Sequence, residues 1–511
     1  KIITILIIFC CITITIQQNI KKECHNKIWF IQQVEEILNE PTQHGAFFGI
    51  SILTPSVVDN EIVYEPFTKY NDDILLQPAS NTKLFTIGTL FHLLSARGLS
   101  SQQLKTSITS HAQDPQKPLG KVDICIKASG DPSLSTQSIQ NFVKQLIALQ
   151  PQVMRNGVGM LGVDTSIFQG APFPSSWQWM DLARPYGAPP VASVLNENAF
   201  SLSVSPSSKI GGALLLSFDN GDTMIEQALA SQIVNRGVTI AVNNQTQPPL
   251  NVGYQFDQFG LIIDGTMPLN ASPQQFTFAV ADAPTFFVTA FKSALKAANV
   301  EVDQLGRCDY HANERPPLVS FEIKSPSLLT LANHTLQVSD NLYAECFARL
   351  LGVNFGKSSL ASDSLQQGLD VITSTLHTLN VSANGAGWEQ YDGSGVSRFN
   401  LISPLSLTQL LKALYFSPDG ETFQHLLPVG GESGTLSHRF TTAPAKGNVF
   451  AKTGTISHVS TLSGYIFAKQ FSTTAPIIFS VFENNSNFGS NTRQQAIDRI
   501  VDLLFQIDSN C

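Results

Sequence analysis

Apolar side chains recur at helical spacing near the start of the chain. Ile28, Phe30, Ile31, Val34, Ile37 and Leu38 predict an amphipathic helix within residues 20–45. Runs of β-formers follow at 46–53 and 61–70, around turn residues at 55–60, and predict a hairpin. Pro78-Ala79-Ser80-Asn81-Thr82-Lys83 comes next, then Leu84, Phe85, Ile87, Leu90, Phe91, Leu93 and Leu94, closed by Arg97-Gly98. Proline cannot continue a helix from upstream but is tolerated near a helix start, so the pattern predicts a helix beginning just after Pro78. That helix is apolar on nearly all sides, which predicts burial at the centre of a domain.

The pattern changes after Gly98. Residues 100–325 carry short β-like runs separated by prolines and by Gly-Asp or Asn-Gly turns, with few helical signals. Helical spacing returns at 328–332, 340–351, 362–379 and 406–415. Strand-like runs then stand at 449–453, 461–468 and 477–483, before a last helix at 492–507. This order predicts an α+β fold with an antiparallel sheet flanked by helices, the sheet drawing strands from both ends of the chain. Residues 25–99 and 326–511 make up that domain, and 100–325 form a β-rich insertion of one or two nested modules.

The length of 511 residues agrees with about three domains. A net charge of −8 with no long basic run argues against nucleic acid as a partner. Lys1 and the apolar run behind it read as a signal peptide over residues 1–19, with an uncleaved anchor or a buried strand as the alternatives. Sequons at Asn244, Asn270, Asn333, Asn380 and Asn484 agree with export. Without Cys10 and Cys11 the remaining cysteines are Cys24, Cys125, Cys308, Cys346 and Cys511, enough for one or two disulfides whose pairing the sequence leaves open. No metal-ligand spacing occurs among the cysteines or the ten histidines, and no cofactor is expected.

Chemistry enters at Ser80 and Lys83. Three residues apart on a helix, they share a face, so the amine can take the hydroxyl's proton. The spacing alone is weak, because Ser293 and Lys296 repeat it within a stretch that reads as mid-helix. Two later motifs separate the pairs: Ser339-Asp340-Asn341 at the start of a helical run, and Lys452-Thr453-Gly454-Thr455 at the end of a strand-like run. Ser-x-x-Lys, Ser-Asp-Asn and Lys-Thr-Gly together mark class A β-lactamases and penicillin-binding proteins.

The flanking residues narrow the family: Gly130-Asp131-Pro132-Ser133-Leu134, Leu195-Asn196-Glu197-Asn198, Asp392-Gly393-Ser394-Gly395-Val396-Ser397-Arg398, Ser433-Gly434-Thr435-Leu436 and Leu462-Ser463-Gly464-Tyr465. Over roughly residues 35–505 the chain resembles the penicillin-binding protein 4 type of D-alanyl-D-alanine carboxypeptidase, peptidase family S13. The resemblance implies a β-lactamase/transpeptidase-like domain with two inserted domains. It implies acyl transfer through Ser80, peptidoglycan stem peptides as substrates and β-lactams as covalent inhibitors, and it leaves open whether cross-bridges are cleaved as well. Lys83 would act as base, with Lys452 as a second cation lowering its pKa. Ser339 would relay the proton and Asn341 would orient Lys83. Lys452, Thr453 and Thr455 would hold the substrate carboxylate, Gly454 would admit the substrate backbone, and the N–H groups of Ser80 and Thr455 would form the oxyanion hole. Asp392 and Arg398 would line the rim, although a salt bridge stiffening the loop fits them equally. His458 stands where relatives more often have a small residue. A β-lactamase, an esterase or a D-aminopeptidase on the same scaffold, or a non-catalytic binding protein, are the competing readings.

Overall fold

The computed structural model describes residues 27–507 except 115, 118–119, 220, 243–247, 256–259, 310–315, 358–362, 382–386 and 469–474. The proposed signal peptide, Cys10, Cys11, Cys24, Cys511 and Asn244 lie outside the described residues. Two compact units share the chain. The first takes the residues up to Leu99 with Ala332–Asp340 and those from Leu369 onward; the second takes Ser100–Leu331 and Asn341–Gly368. The helix Asn341–Phe355 was expected with the first unit but groups with the second, where it buries Leu342 and Cys346 against Val194.

The first unit is built on a five-stranded antiparallel sheet. Its strands are β1 (Phe47–Val58), β2 (Glu61–Tyr70), β3 (Val449–Ile456), β4 (Val459–Ile466) and β5 (Ile477–Asn484), in the order β3-β4-β5-β1-β2. The amino-terminal hairpin thus extends a carboxy-terminal meander by pairing β1 with β5, as the pattern at both ends predicts. Every residue of β4 and β5 is buried. Both faces are therefore covered, which is why these strands read as continuous runs rather than alternations.

One face carries α1 (residues 27–38) and the last helix, Ser490–Leu503. Phe30, Val34 and Ile37 pack there with Phe48, Ile50, Phe479, Ile497 and Ile500. The other face carries α2 (Thr82–Ser95) and α3 (Pro404–Tyr415). Ser51 Oγ lies 2.9 Å from Thr408 Oγ1, and Tyr465 Oη donates to Leu411 O across 2.7 Å, so α3 is tied to the sheet. Residues 82–91 of α2 are all buried, as its all-round apolar sequence predicts.

The second unit corrects the expectation of few helices in residues 100–325. Its main sheet runs Val302–Arg307, Val158–Asp164, Val122–Lys127, Gln103–Ala112, Val319–Ser327, and two of its pairings are parallel. A parallel pair needs a crossover, and the helix Thr136–Leu149 supplies one. Its signals were present in the sequence: Ile139, Phe142, Val143 and Leu146 at helical spacing, and Ser135 with Ser138 as a capping box. The decoy Ser293 sits in the helix Ala283–Ala297 with its hydroxyl on Thr289 O, mid-helix as expected. Cys125 and Cys308 form a disulfide, and Cys346 is a buried thiol. The sequon at Asn484 is closed in the folded chain, because this buried side chain exchanges two hydrogen bonds with the Gln77 backbone. No described helix is long and apolar enough to cross a membrane.

Candidate active site

Ser80 sits one step earlier than the sequence suggests. Ala79–Asn81 form a 3-10 turn behind Pro78, and α2 starts at Thr82. Ala79 takes a left-handed backbone (φ 47°), a conformation that costs a non-glycine residue energy and is found where surrounding structure holds it. The Thr82 hydroxyl donates to Ala79 O and helps to do so. The turn leaves Ser80 partly exposed while Lys83 is fully buried one turn along. Lys83 Nζ is 3.0 Å from Ser80 Oγ and 2.7 Å from Ser394 O.

Ser394 O is delivered by the glycine-rich loop. The buried carboxylate of Asp392 accepts from Gly395 N, Ser397 N and Asn400 Nδ2 at 2.8, 2.6 and 2.6 Å. Asp392 thus folds the loop rather than lining a rim. Gly395 is required there: φ is 91°, and a Cβ would overlap Ala79 O. Arg398 donates to Ser457 O at the β3–β4 turn, next to His458 in a left-handed conformation.

A second serine–lysine pair stands opposite. Lys452, on β3, is fully buried, with Nζ 2.8 Å from Ser339 Oγ and 2.9 Å from Thr453 O. Burial first and the Lys83 charge second hold the Lys452 amine well below the ordinary lysine range. Ser339, like Ala79, has a left-handed backbone (φ 64°). Thr453 Oγ1 donates to Thr435 Oγ1 across 2.8 Å, while Thr455 is exposed near the end of β3, on the outer edge of the sheet.

Ser80, Lys83, Ser339, Lys452, Thr453, Gly454 and Thr455 all belong to the first unit. Asn341 opens the helix after Ser339-Asp340, in the second unit, and its side-chain amide donates to Tyr186 O across 2.9 Å. Gly454 has a tighter reason than substrate access. A Cβ there would overlap Thr461 Oγ1 and stand 2.7 Å from Pro78 O, so the missing side chain is what lets β3 close on the nucleophile's turn. Asn81, Ser394 and Thr435 lie in stretches named above but carry no role in the sequence reading, and Thr461 is not singled out there. Their partners are remote in the chain, and no local pattern marks them.

A partly exposed serine beside a buried lysine, a second such pair across from it and an exposed strand edge fit a serine acyl-transfer enzyme of the β-lactamase and penicillin-binding type. The chain belongs to the D-Ala-D-Ala carboxypeptidase 3 (S13) family, whose model matches residues 30–504. It is 32% identical to the penicillin-sensitive carboxypeptidase A of Dictyostelium discoideum, over 84% of this chain and 81% of that protein. It is 27% identical to a D-alanyl-D-alanine carboxypeptidase of Actinomadura sp. (strain R39), over 85% and 78% of the two chains. The crystal structure of penicillin binding protein 4 from Haemophilus influenzae has the same fold. That match has a TM-score of 0.74 at 20% identity and covers 92% of this chain and 99% of that one.

Proposed function

We propose that this family member releases the terminal D-alanine from peptidoglycan stem peptides through an acyl-enzyme on Ser80. The observation that carries the reading is the pairing of Ser80 Oγ with the buried Lys83 amine at 3.0 Å, opposite Lys452 and Ser339 at 2.8 Å. Two buried amines cannot both hold protons cheaply, so a neutral lysine is available as base. Lys83 takes the Ser80 proton, and Oγ attacks the carbonyl carbon of the penultimate D-alanine. The oxyanion forms between the N–H groups of Ser80 and Thr455. Ser339 relays the proton held by Lys83 to the departing amine as the C–N bond breaks, which leaves Lys83 neutral again. Water then attacks the ester, gives up a proton through the same base and regenerates Ser80.

The substrate carboxylate fits Lys452, Thr453, Thr455 and Thr435. An anion bound beside Lys452 draws that amine back to its charged form, so substrate binding restores the cation that burial disfavours. The role of Asn341, orienting Lys83 and binding the substrate amide, is carried by its place in the Ser339-Asp340-Asn341 motif. β-Lactams would acylate the same serine. The Cys125–Cys308 disulfide supports export to an oxidising compartment.

The test is D-alanine release from a muropeptide pentapeptide, run beside a cross-linked dimer and a fluorescent penicillin. The expected result is D-alanine release together with a covalent penicillin adduct, both lost in Ser80→Ala. An adduct that survives Ser80→Ala overturns the nucleophile. Rapid penicillin turnover without D-alanine release replaces the peptidase by a β-lactamase, and the absence of both activities leaves a binding protein. Dimer cleavage would add the endopeptidase activity.

A further inference from the structure

The first unit contains a polar knot that the motif set does not include. Asn81 directly follows the nucleophile and is fully buried. Its Nδ2 donates to Lys452 O across 3.2 Å and to Thr461 Oγ1 across 2.6 Å. Thr461 Oγ1 in turn donates to Pro78 O across 2.9 Å, and Asn81 N reaches the same carbonyl across 3.1 Å. One side chain on the nucleophile's turn therefore holds β3 at Lys452 and β4 at Thr461, while Thr461 holds the other end of that turn. The register places Gly454 directly opposite Thr461, and Gly454 is the residue whose missing Cβ makes room for Thr461 Oγ1, Pro78 O and Asn81 Nδ2.

We infer that Asn81 and Thr461 are positioning residues that fix the distance between the Ser80 and Thr455 N–H groups, and so set the geometry of the oxyanion hole. This rests on the reading of Ser80 and Thr455 given above. The two donors come from elements far apart in the chain, a 3-10 turn and a strand edge. The knot lies beside both of them: Asn81 directly follows Ser80, and Gly454 directly precedes Thr455. Neither knot side chain is placed to exchange a proton with the reacting atoms, so its effect falls on the acylation step rather than on protonation states. A misplacement on the order of 1 Å at such a site can cost about 10²-fold in rate.

Thr461→Val keeps the volume and removes the hydroxyl; Thr461→Ser keeps the hydroxyl. Expected for Thr461→Val is an acylation rate with fluorescent penicillin lowered about 10- to 100-fold. For D-alanine release, kcat should fall with KM little changed, and the pH limbs of kcat should stay in place. Thr461→Ser should restore most of the rate. Asn81→Ala should reproduce the loss, and the Asn81→Ala/Thr461→Val double variant should be little worse than either single change, because both break one network. Wild-type rates in Thr461→Val, a Thr461→Ser no better than Thr461→Val, or additive losses in the double variant would overturn the inference. If Thr461→Val does not fold, Asn81→Ala with its kcat-against-KM split decides alone. Failure of the wild type to form any adduct would instead count against the functional reading.

Discussion

Lys452 is the residue at which activity and stability oppose each other. It is fully buried, and its amine is held well below the ordinary range by burial and by the charge of Lys83. Between that lowered value and the ordinary lysine value the unfolded chain binds more protons than the folded one, so this residue's contribution to stability rises with pH. Lys452→Met should therefore melt above wild type near neutral pH, with the gap narrowing as pH increases. Under the proposed function the same variant should lose about 10²-fold or more in kcat/KM for D-alanine release, because Lys452 is proposed to hold the substrate carboxylate. Thermal melts across pH, beside kinetics, check both halves. At this scale the sequence was informative where a motif names a residue: the spacing of Ser80 and Lys83 agrees with their 3.0 Å approach, whereas the meeting of Ser339 with Lys452 was not foreseen. The sequence was silent on Asn81 and Thr461, because a buried amide and a hydroxyl acquire roles only from partners hundreds of positions away.

The decisive element is the loop Asp392–Ser397 pressed against the nucleophile's turn. Asp392 gathers the loop's N–H groups, and Ser394 O meets Lys83 as a result. Gly395→Ala should cost on the order of 1–3 kcal/mol in stability from the left-handed backbone alone. Its Cβ would also push Ala79 O and the Ser80 turn out of line, so penicillin acylation should fall further than the lost stability explains. Melting and acylation rate measured on one preparation separate the two effects; wild-type acylation would show that the loop does not support the turn. Long elements with strong patterns were legible, including α2 and the strands at both chain ends. The crossover helix Thr136–Leu149 was passed over in a stretch dominated by β signals, although its apolar spacing and cap were there. The part of Gly454 in closing β3 on the nucleophile could not be read locally, because the atoms its Cβ would meet belong to Pro78 and Thr461.

At the scale of the whole molecule, the Cys125–Cys308 disulfide closes a long covalent loop. Cys125 and Cys308 are 183 residues apart in sequence, and they join the strand Val122–Lys127 to the segment just after Val302–Arg307. Cys308→Ser, or a reducing agent, should lower stability by about 2–5 kcal/mol, mainly by freeing the unfolded chain. Melting with and without reductant measures it, and no shift would mean that the bridge constrains nothing that folding needs. The sequence by itself determined the family, the strands at both chain ends and the buried helix behind Ser80, because each is written in local spacing or in a short motif. Only the tertiary structure decided that Ser339 meets Lys452, that Asp392 shapes a loop rather than a rim, and that Gly454 makes room for the turn that carries Ser80. Those are facts about atoms brought within about 3 Å by folding, and hydrogen bonds act only at that range.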